Sequence, residues 1–286
     1  MELRKDIRKL QQSELLNALK SMNEPGFRAQ QVWDWLWQKR VTRFEDMRNL
    51  PLLLRQKLEQ TFVINAVHIH ETQSSADGTL KCAMRLHDQY VVESVLIPQG
   101  KRMTACISSQ VGCSLTCSFC ATGKLKRMRN LQADEIYDQV MLVNETALNT
   151  YQQKLSNIVF MGMGEPLLNY NQVKEAITKL CAPEGMGLSP QRITVSTAGV
   201  HKMIRTLADD RLNVHLALSL HAASDEKRNQ VMPINETNSL AMLKETLVYF
   251  YTTNGRRPTL EYVMLNGFND SLEDARQLLT WSRGLK

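Results

Sequence analysis

The sequence predicts an α/β fold in which parallel strands alternate with crossover helices, entered through a helical segment and a group of β-hairpins. Three observations carry this. From residue 100 onward, short β-branched runs alternate with helical stretches, the rhythm of parallel strands joined by helices. Between residues 61 and 99, three β-type runs follow one another with only turns between them. Before residue 60, apolar residues recur at helical spacing. The alternating part fits either a partial barrel or a doubly wound sheet.

In order along the chain, residues 1–60 read as a small helical N-terminal domain. Val32 with Leu36 and Trp33 with Trp37 are i,i+4 pairs that give one helix a broad apolar surface. "NEPGF" supplies the turn before it, and three of the 4 tryptophans sit in "WDWLW". That cluster reads as a helix packing face or as a surface that stacks on RNA. Residues 61–99 form a β-hairpin connector from "NAVHIHETQ", "TLKCAMRLH" and "YVVESVLIP", with Asp77-Gly78 between the first two. Residues 100–286 hold the strands "MTACISS", "NIVFMGM", "RITVSTA", "NVHLALSL" and "LEYVML". Helices are expected over 132–147, 170–181, 199–207 and 238–252.

The bulk numbers exclude several classes. A chain of 286 residues with 43% hydrophobic and 22% charged residues has ordinary globular balance, not disorder. The start, "MELRKDIRKLQQSELLNALK", is charged too often for a secretory leader. No apolar run reaches the ~20 residues that span a bilayer. A reducing, cytoplasmic setting follows, where clustered cysteines serve as metal ligands or catalysts rather than disulfides. The 35 basic residues against 29 acidic give a net charge of +6, which suits a polyanion and equally a plain solvated surface.

Four of the 6 cysteines crowd into "CISSQVGCSLTCSFCATGKLKRMR". Cys113, Cys117 and Cys120 share a short loop after the first strand of the alternating part. Three thiolates can hold three irons of a cubane cluster and leave the fourth iron open. The zinc alternative takes Cys106 as a fourth ligand, although zinc sites favour two separated C-x-x-C pairs and only one is present. The other polar or glycine-rich strand ends are "GMGEP", "STAG" and "SLHA". Ligand sites in parallel α/β folds gather at such carboxyl ends. Cys82 and Cys181 have no motif around them and are assigned to packing.

C-x-x-x-C-x-x-C after a first barrel strand resembles the radical S-adenosylmethionine (SAM) superfamily and its partial (βα)6 barrel. The wider set "CISSQVGCSLTCSFCATG", "VFMGMGEPLLN", "ITVSTAG", "LALSLHA", "LEYVML", with "FRAQQVWDWLW" and "VVESVLIP" before it, closely resembles the dual-specificity RNA adenine-C2 methyltransferases, the RlmN/Cfr family. The resemblance covers most of the chain. It implies that Cys113, Cys117 and Cys120 hold one [4Fe-4S] cluster whose open iron binds SAM. It implies SAM contacts at Gly164, Glu165, Ser196, Ser219, Leu220 and His221. Glu93 matches the general base. Cys106 matches a cysteine that forms a transient disulfide with a methyl-carrying cysteine. The implied reaction uses two SAM molecules, one to methylate that cysteine and one to yield the radical that moves the carbon to C2 of adenosine. Substrates are large-subunit rRNA and tRNA beside the anticodon, with an electron donor such as flavodoxin. Lys124, Lys126, Arg127 and Arg129 beside the loop would hold phosphates.

One departure stands out. The family continues through a sixth strand with a SAM-contacting asparagine and a C-terminal methyl-carrying cysteine, whereas five barrel strands are identifiable here and no cysteine follows Cys181. The expectation is a C-terminally incomplete chain that assembles a cluster without methylating RNA, with an exposed sheet edge. A zinc-containing RNA-binding module and a radical SAM activase of another protein are the alternatives.

Overall fold

The computed structural model describes residues 4–285. Eight strands form one sheet: β1 His68–Ser74, β2 Leu80–Arg85, β3 Val91–Gln99, β4 Arg102–Cys106, β5 Asn157–Phe160, β6 Ile193–Thr197, β7 His215–Ser219 and β8 Thr259–Glu261. Their spatial order is their chain order, from β1 to β8. Strands β1–β4 pair antiparallel and β4–β8 pair parallel. This decides between the two architectures. A doubly wound sheet reverses its strand order at a switch point, whereas this one winds steadily in one direction, as a barrel does. It does not close among the described residues, since β1 and β8 are its two edges. The hairpins are continuous with the parallel strands in that one sheet.

Nine helices occur among the described residues: α1 Gln12–Ser21, α2 Phe27–Trp37, α3 Leu52–Thr61, α4 Ala133–Tyr151, α5 Tyr170–Cys181, α6 His201–Asp209, α7 Asp225–Val231, α8 Leu240–Asn254 and α9 Leu272–Ser282. The helices α7 and α9 were not expected from the sequence. The expected strand "LEYVML" is shorter than its β-branched pattern suggests, because the chain leaves the sheet after Glu261.

The register sorts the sheet into two faces. Ile158 and Phe160, Ile193 and Val195, and Leu216 and Leu218 are buried on the helix-covered face. The partners Cys106, Val159 and Thr194 lie in one row on the other face. So do Ser196 with Ala217, and Ser219 with Glu261. Glu93 reaches the same face, two residues from Val95, which pairs with Cys106. Most of this second face is only partly buried. It is a polar, concave surface.

The helical N-terminal region is fastened to the rest by a buried seam. Val32, Leu36 and Trp37 of α2 are buried, and Trp37 meets Tyr137 of α4 edge-on at 5.3 Å. The Tyr137 hydroxyl donates to the Trp37 carbonyl at 2.7 Å. The "WDWLW" cluster is thus chiefly a packing face. Beside it, Arg8 donates to both Asp138 carboxylate oxygens at 2.9 and 2.8 Å and to Asp134 at 3.3 Å. Burial works against that cation, but Asp138, Asp134 and Asp6 together hold its pKa above the usual value.

Candidate functional site

The cysteine loop is the turn of a long hairpin. Gln110–Val111 pairs antiparallel with Arg129–Asn130, and Cys113 forms a further bridge with Lys126. The thiols therefore sit on the outgoing leg and tip, and the basic run returns along the other leg. Gly112 makes the tight start possible. Its φ is +73°, and a Cβ there would stand 2.3 Å from the Lys126 carbonyl oxygen. The tip rests on α7: the Ser118 amide donates to the Val231 carbonyl at 3.0 Å.

Cys113, Cys117 and Cys120 line one cavity of about 220 Å³ at the carboxyl ends of β5, β6, β7 and β8. Gly164, Ser196, Ser219 and His221 line the same cavity. Gly164 has φ +96°, and a Cβ on it would come within 2.5 Å of the Gln110 side chain. Only glycine allows the β5 exit to press so closely against the root of the hairpin. The Cys117 thiol is pushed up to about 11 by burial and by its neighbours Cys120 and Cys113. The three sulfurs thus feel one another. Among the described residues no three His, Cys, Asp or Glu side chains converge on a single-ion site. Cys106, the fourth ligand of the zinc alternative, is not among the residues that line this cavity. Three thiols spread around a small-residue cradle fit a cluster, whose binding displaces their protons.

Other expected residues stand around the cavity in different roles. Glu165 is 3% exposed, and its carboxylate is turned inward. Its oxygens accept from the Leu167 amide at 3.0 Å and the Ala198 amide at 2.8 Å. This fastens the β5 exit to the end of β6. Burial pushes its pKa up to about 6. Leu220 is fully buried; its amide donates to the Glu261 carbonyl at 2.9 Å. His221 takes φ +57°, and its Nδ1 accepts from the Val263 amide at 3.0 Å. Its ring meets Phe119 of the cysteine loop edge-on at 4.7 Å. Burial, and then Arg228, push its pKa down to about 4, so the ring is neutral near pH 7 with its proton on Nε2.

Cys106 and Glu93 lie on the concave face. Burial pushes the Cys106 thiol up to about 11. All six cysteines are free, so the disulfide expected of Cys106 is not formed with any thiol of this chain. Glu93 is not enclosed: its side chain is 50% exposed and 3.1 Å from the Lys81 ammonium across the strand pair. The basic run needs one correction. Arg129 is committed to Glu135, with both contacts at 2.7 Å, and to Asp88 at 2.5 Å; these ion pairs leave it unavailable to a phosphate. Lys124, Lys126 and Arg127 remain exposed.

Sequence reasoning missed Glu261 and Arg228. Glu261 lines the cavity and accepts from the Ser196 hydroxyl at 3.3 Å; it sat in plain view inside "LEYVML". Arg228 is wholly buried, and nothing in "DEKRNQV" distinguishes it from a solvated helix face.

Comparison with known proteins agrees with this geometry. Residues 107–279 match the radical SAM superfamily. Residues 5–64 match the ribosomal RNA large subunit methyltransferase N-terminal domain. The chain is 51% identical over 280 residues to a probable dual-specificity RNA methyltransferase RlmN of Christiangramia forsetii, covering 98% of this chain and 80% of the relative. It is 45% identical over 282 residues to the dual-specificity RNA methyltransferase RlmN of Rhodospirillum rubrum, covering 96% and 66%. The crystal structure of a radical SAM methyltransferase from Sphaerobacter thermophilus superposes with a TM-score of 0.91 at 36% identity, over 98% of this chain and 82% of that one. This chain thus belongs to the radical SAM superfamily and, within it, to the RlmN family.

Proposed function

We propose that this protein is a SAM-dependent RNA methyltransferase that modifies C2 of adenosine in large-subunit rRNA and in tRNA beside the anticodon. One observation carries the reading: the three loop thiols share a cavity with Gly164, Ser196, Ser219 and His221, which is the arrangement needed to hold an iron–sulfur cluster and a nucleotide-like ligand side by side. When bound, the cluster supplies the electron that splits SAM into a carbon radical and methionine.

The chain's own residues do the rest. Cys113, Cys117 and Cys120 would take three irons, leaving one corner open. The close packing at Gly164 and the hydroxyls of Ser196 and Ser219 would orient SAM, with neutral His221 offering an Nε2 proton. Cys106 would serve as the catalytic thiol on the same concave face. Glu93, across that face, would accept a proton from the base once bound RNA displaces water and loosens its pairing with Lys81. Adenosines in loops are the accessible targets, because a splayed base can enter such a cleft. Residues 1–60 form the accessory unit of this reading, residues 61–99 the hairpin connector and residues 100–286 the reacting core. Lys124, Lys126 and Arg127 would meet phosphates. No described helix is long and apolar enough to cross a membrane; a cytoplasmic setting with a flavodoxin-like electron donor suits the reading.

Anaerobic reconstitution with iron and sulfide tests it. Brown protein that converts SAM to 5′-deoxyadenosine under reduction is expected, whereas these 286 residues should form no 2-methyladenosine, since no cysteine follows Cys181 to carry the methyl group. Colourless, iron-free protein that leaves SAM intact would overturn the assignment.

A further inference from the structure

Among the described residues no larger side chain is fully buried than Arg228, and every acceptor around it is uncharged. Its Nε donates to the Leu220 carbonyl at 3.0 Å, and its Nη2 donates to the Ala198 carbonyl at 2.7 Å and the Ser219 carbonyl at 3.0 Å. Its Nη1 donates to Asn235 Oδ1 at 2.7 Å. Asp225 stands behind that amide, accepting from Asn235 Nδ2 at 2.8 Å. A buried cation with only neutral partners costs several kcal/mol. Burial pushes its pKa down only to about 10, so it keeps its charge near pH 7.

The position of this charge is informative. Ala198, Ser219 and Leu220 are the ends of β6 and β7, the segments that present Ser196, Ser219 and His221 to the cavity. Cys117 and Phe119 of the cysteine loop pack against Ala198, Val231 and Met232, directly after Arg228 on α7 and its exit. One guanidinium therefore lies under both halves of the site, the thiols and the strand ends.

We propose that Arg228 is a positioning residue and a fixed counter-charge: it ties the ends of β6 and β7 together beneath the cavity, and its positive charge offsets the negative charge of the thiolate-held cluster, raising the cluster's reduction potential. This rests on the cluster reading above. Net charge and nearby hydrogen-bond donors are among the levers that set such potentials. The charge left unpaired in the protein is then paired once the anionic group is held.

The test compares the full chain with R228Q and R228K after anaerobic reconstitution. Iron content, thermal midpoint and the cluster's midpoint potential in a dye-mediated dithionite titration are read for each. R228K keeps the charge and loses the fork, so its melting temperature should fall while its potential stays at the wild-type value. R228Q should shift the potential more negative by at least the tenfold equivalent of 59 mV for one electron. A wild-type potential in R228Q, or an equal fall in R228K, overturns the charge role. Should R228Q not fold, D225N decides. It removes the exposed carboxylate behind Asn235 and should raise the potential slightly, and an unchanged or lower value overturns the proposal. Wild-type protein that takes up no iron instead defeats the cluster reading itself, and the iron assay separates the two failures.

Discussion

Arg8 and Arg228 are buried to nearly the same depth, at 6% and 0% exposure, and their surroundings are opposite. Arg8, at the seam between the helical N-terminal region and α4, faces Asp6, Asp134 and Asp138. The anions there outnumber the cation, and burial pushes Asp134 up to about 6. Arg228, under the cavity, bonds only to carbonyl and amide oxygens. The contrast separates a fastening from a site. A fastening meets its buried cation with carboxylates of its own, because a buried charge left without a counter-charge is costly to folding. A site can carry an excess, because a ligand of opposite sign will answer it.

This contrast can be broken at either end. The largest effect is expected from C117S. Iron binding and SAM cleavage should fall to background while the melting temperature changes little, because the thiol lies on a partly exposed loop; iron assay and calorimetry check both. Next comes R8M, which strands three carboxylates at the seam and should cost about 3–5 kcal/mol in a urea titration. Iron bound per folded molecule should stay the same. A cost under about 1 kcal/mol, the range of surface pairs, would mean that the seam is no fastening at all.

The smallest effect concerns pH. His221 has a native pKa of about 4, below its ordinary 6.5, so the native state binds its proton less readily than the unfolded chain does. Its contribution to stability is complete above pH 6.5 and is lost as pH falls toward 4. The shift corresponds to about 3 kcal/mol. Comparing wild type with H221Q at pH 7 and pH 4.5 should show the slope flattened in the variant. An unchanged slope would place the acid sensitivity elsewhere.

Much of this architecture is visible in the residue pattern. The helix over 170–181 and all eight strands of the sheet follow from the residue pattern, the last strand ending earlier than its pattern suggests, and the three loop thiols announce themselves by spacing. What the pattern hides is hidden for physical reasons. Helix α7 has seven residues, too few for a repeat to register. Arg129 reads as one more exposed cation, and only the fold brings Asp88 and Glu135 against it. Glu93 interrupts an apolar strand, and sequence cannot tell a concave face from open solvent; its 50% exposed side chain shows that a sheet face can be both. Choosing a barrel-like winding over a doubly wound sheet requires strand order, which no local pattern encodes.

That order has a consequence for how the molecule is made. Because each strand from β1 to β8 lies beside its immediate predecessor, a chain emerging residue by residue from the translation machinery always finds its docking edge already built. No strand of this sheet must be held in reserve for a partner still to be synthesised. Vectorial folding of this kind spares the nascent chain long-lived unpaired edges and the aggregation they invite.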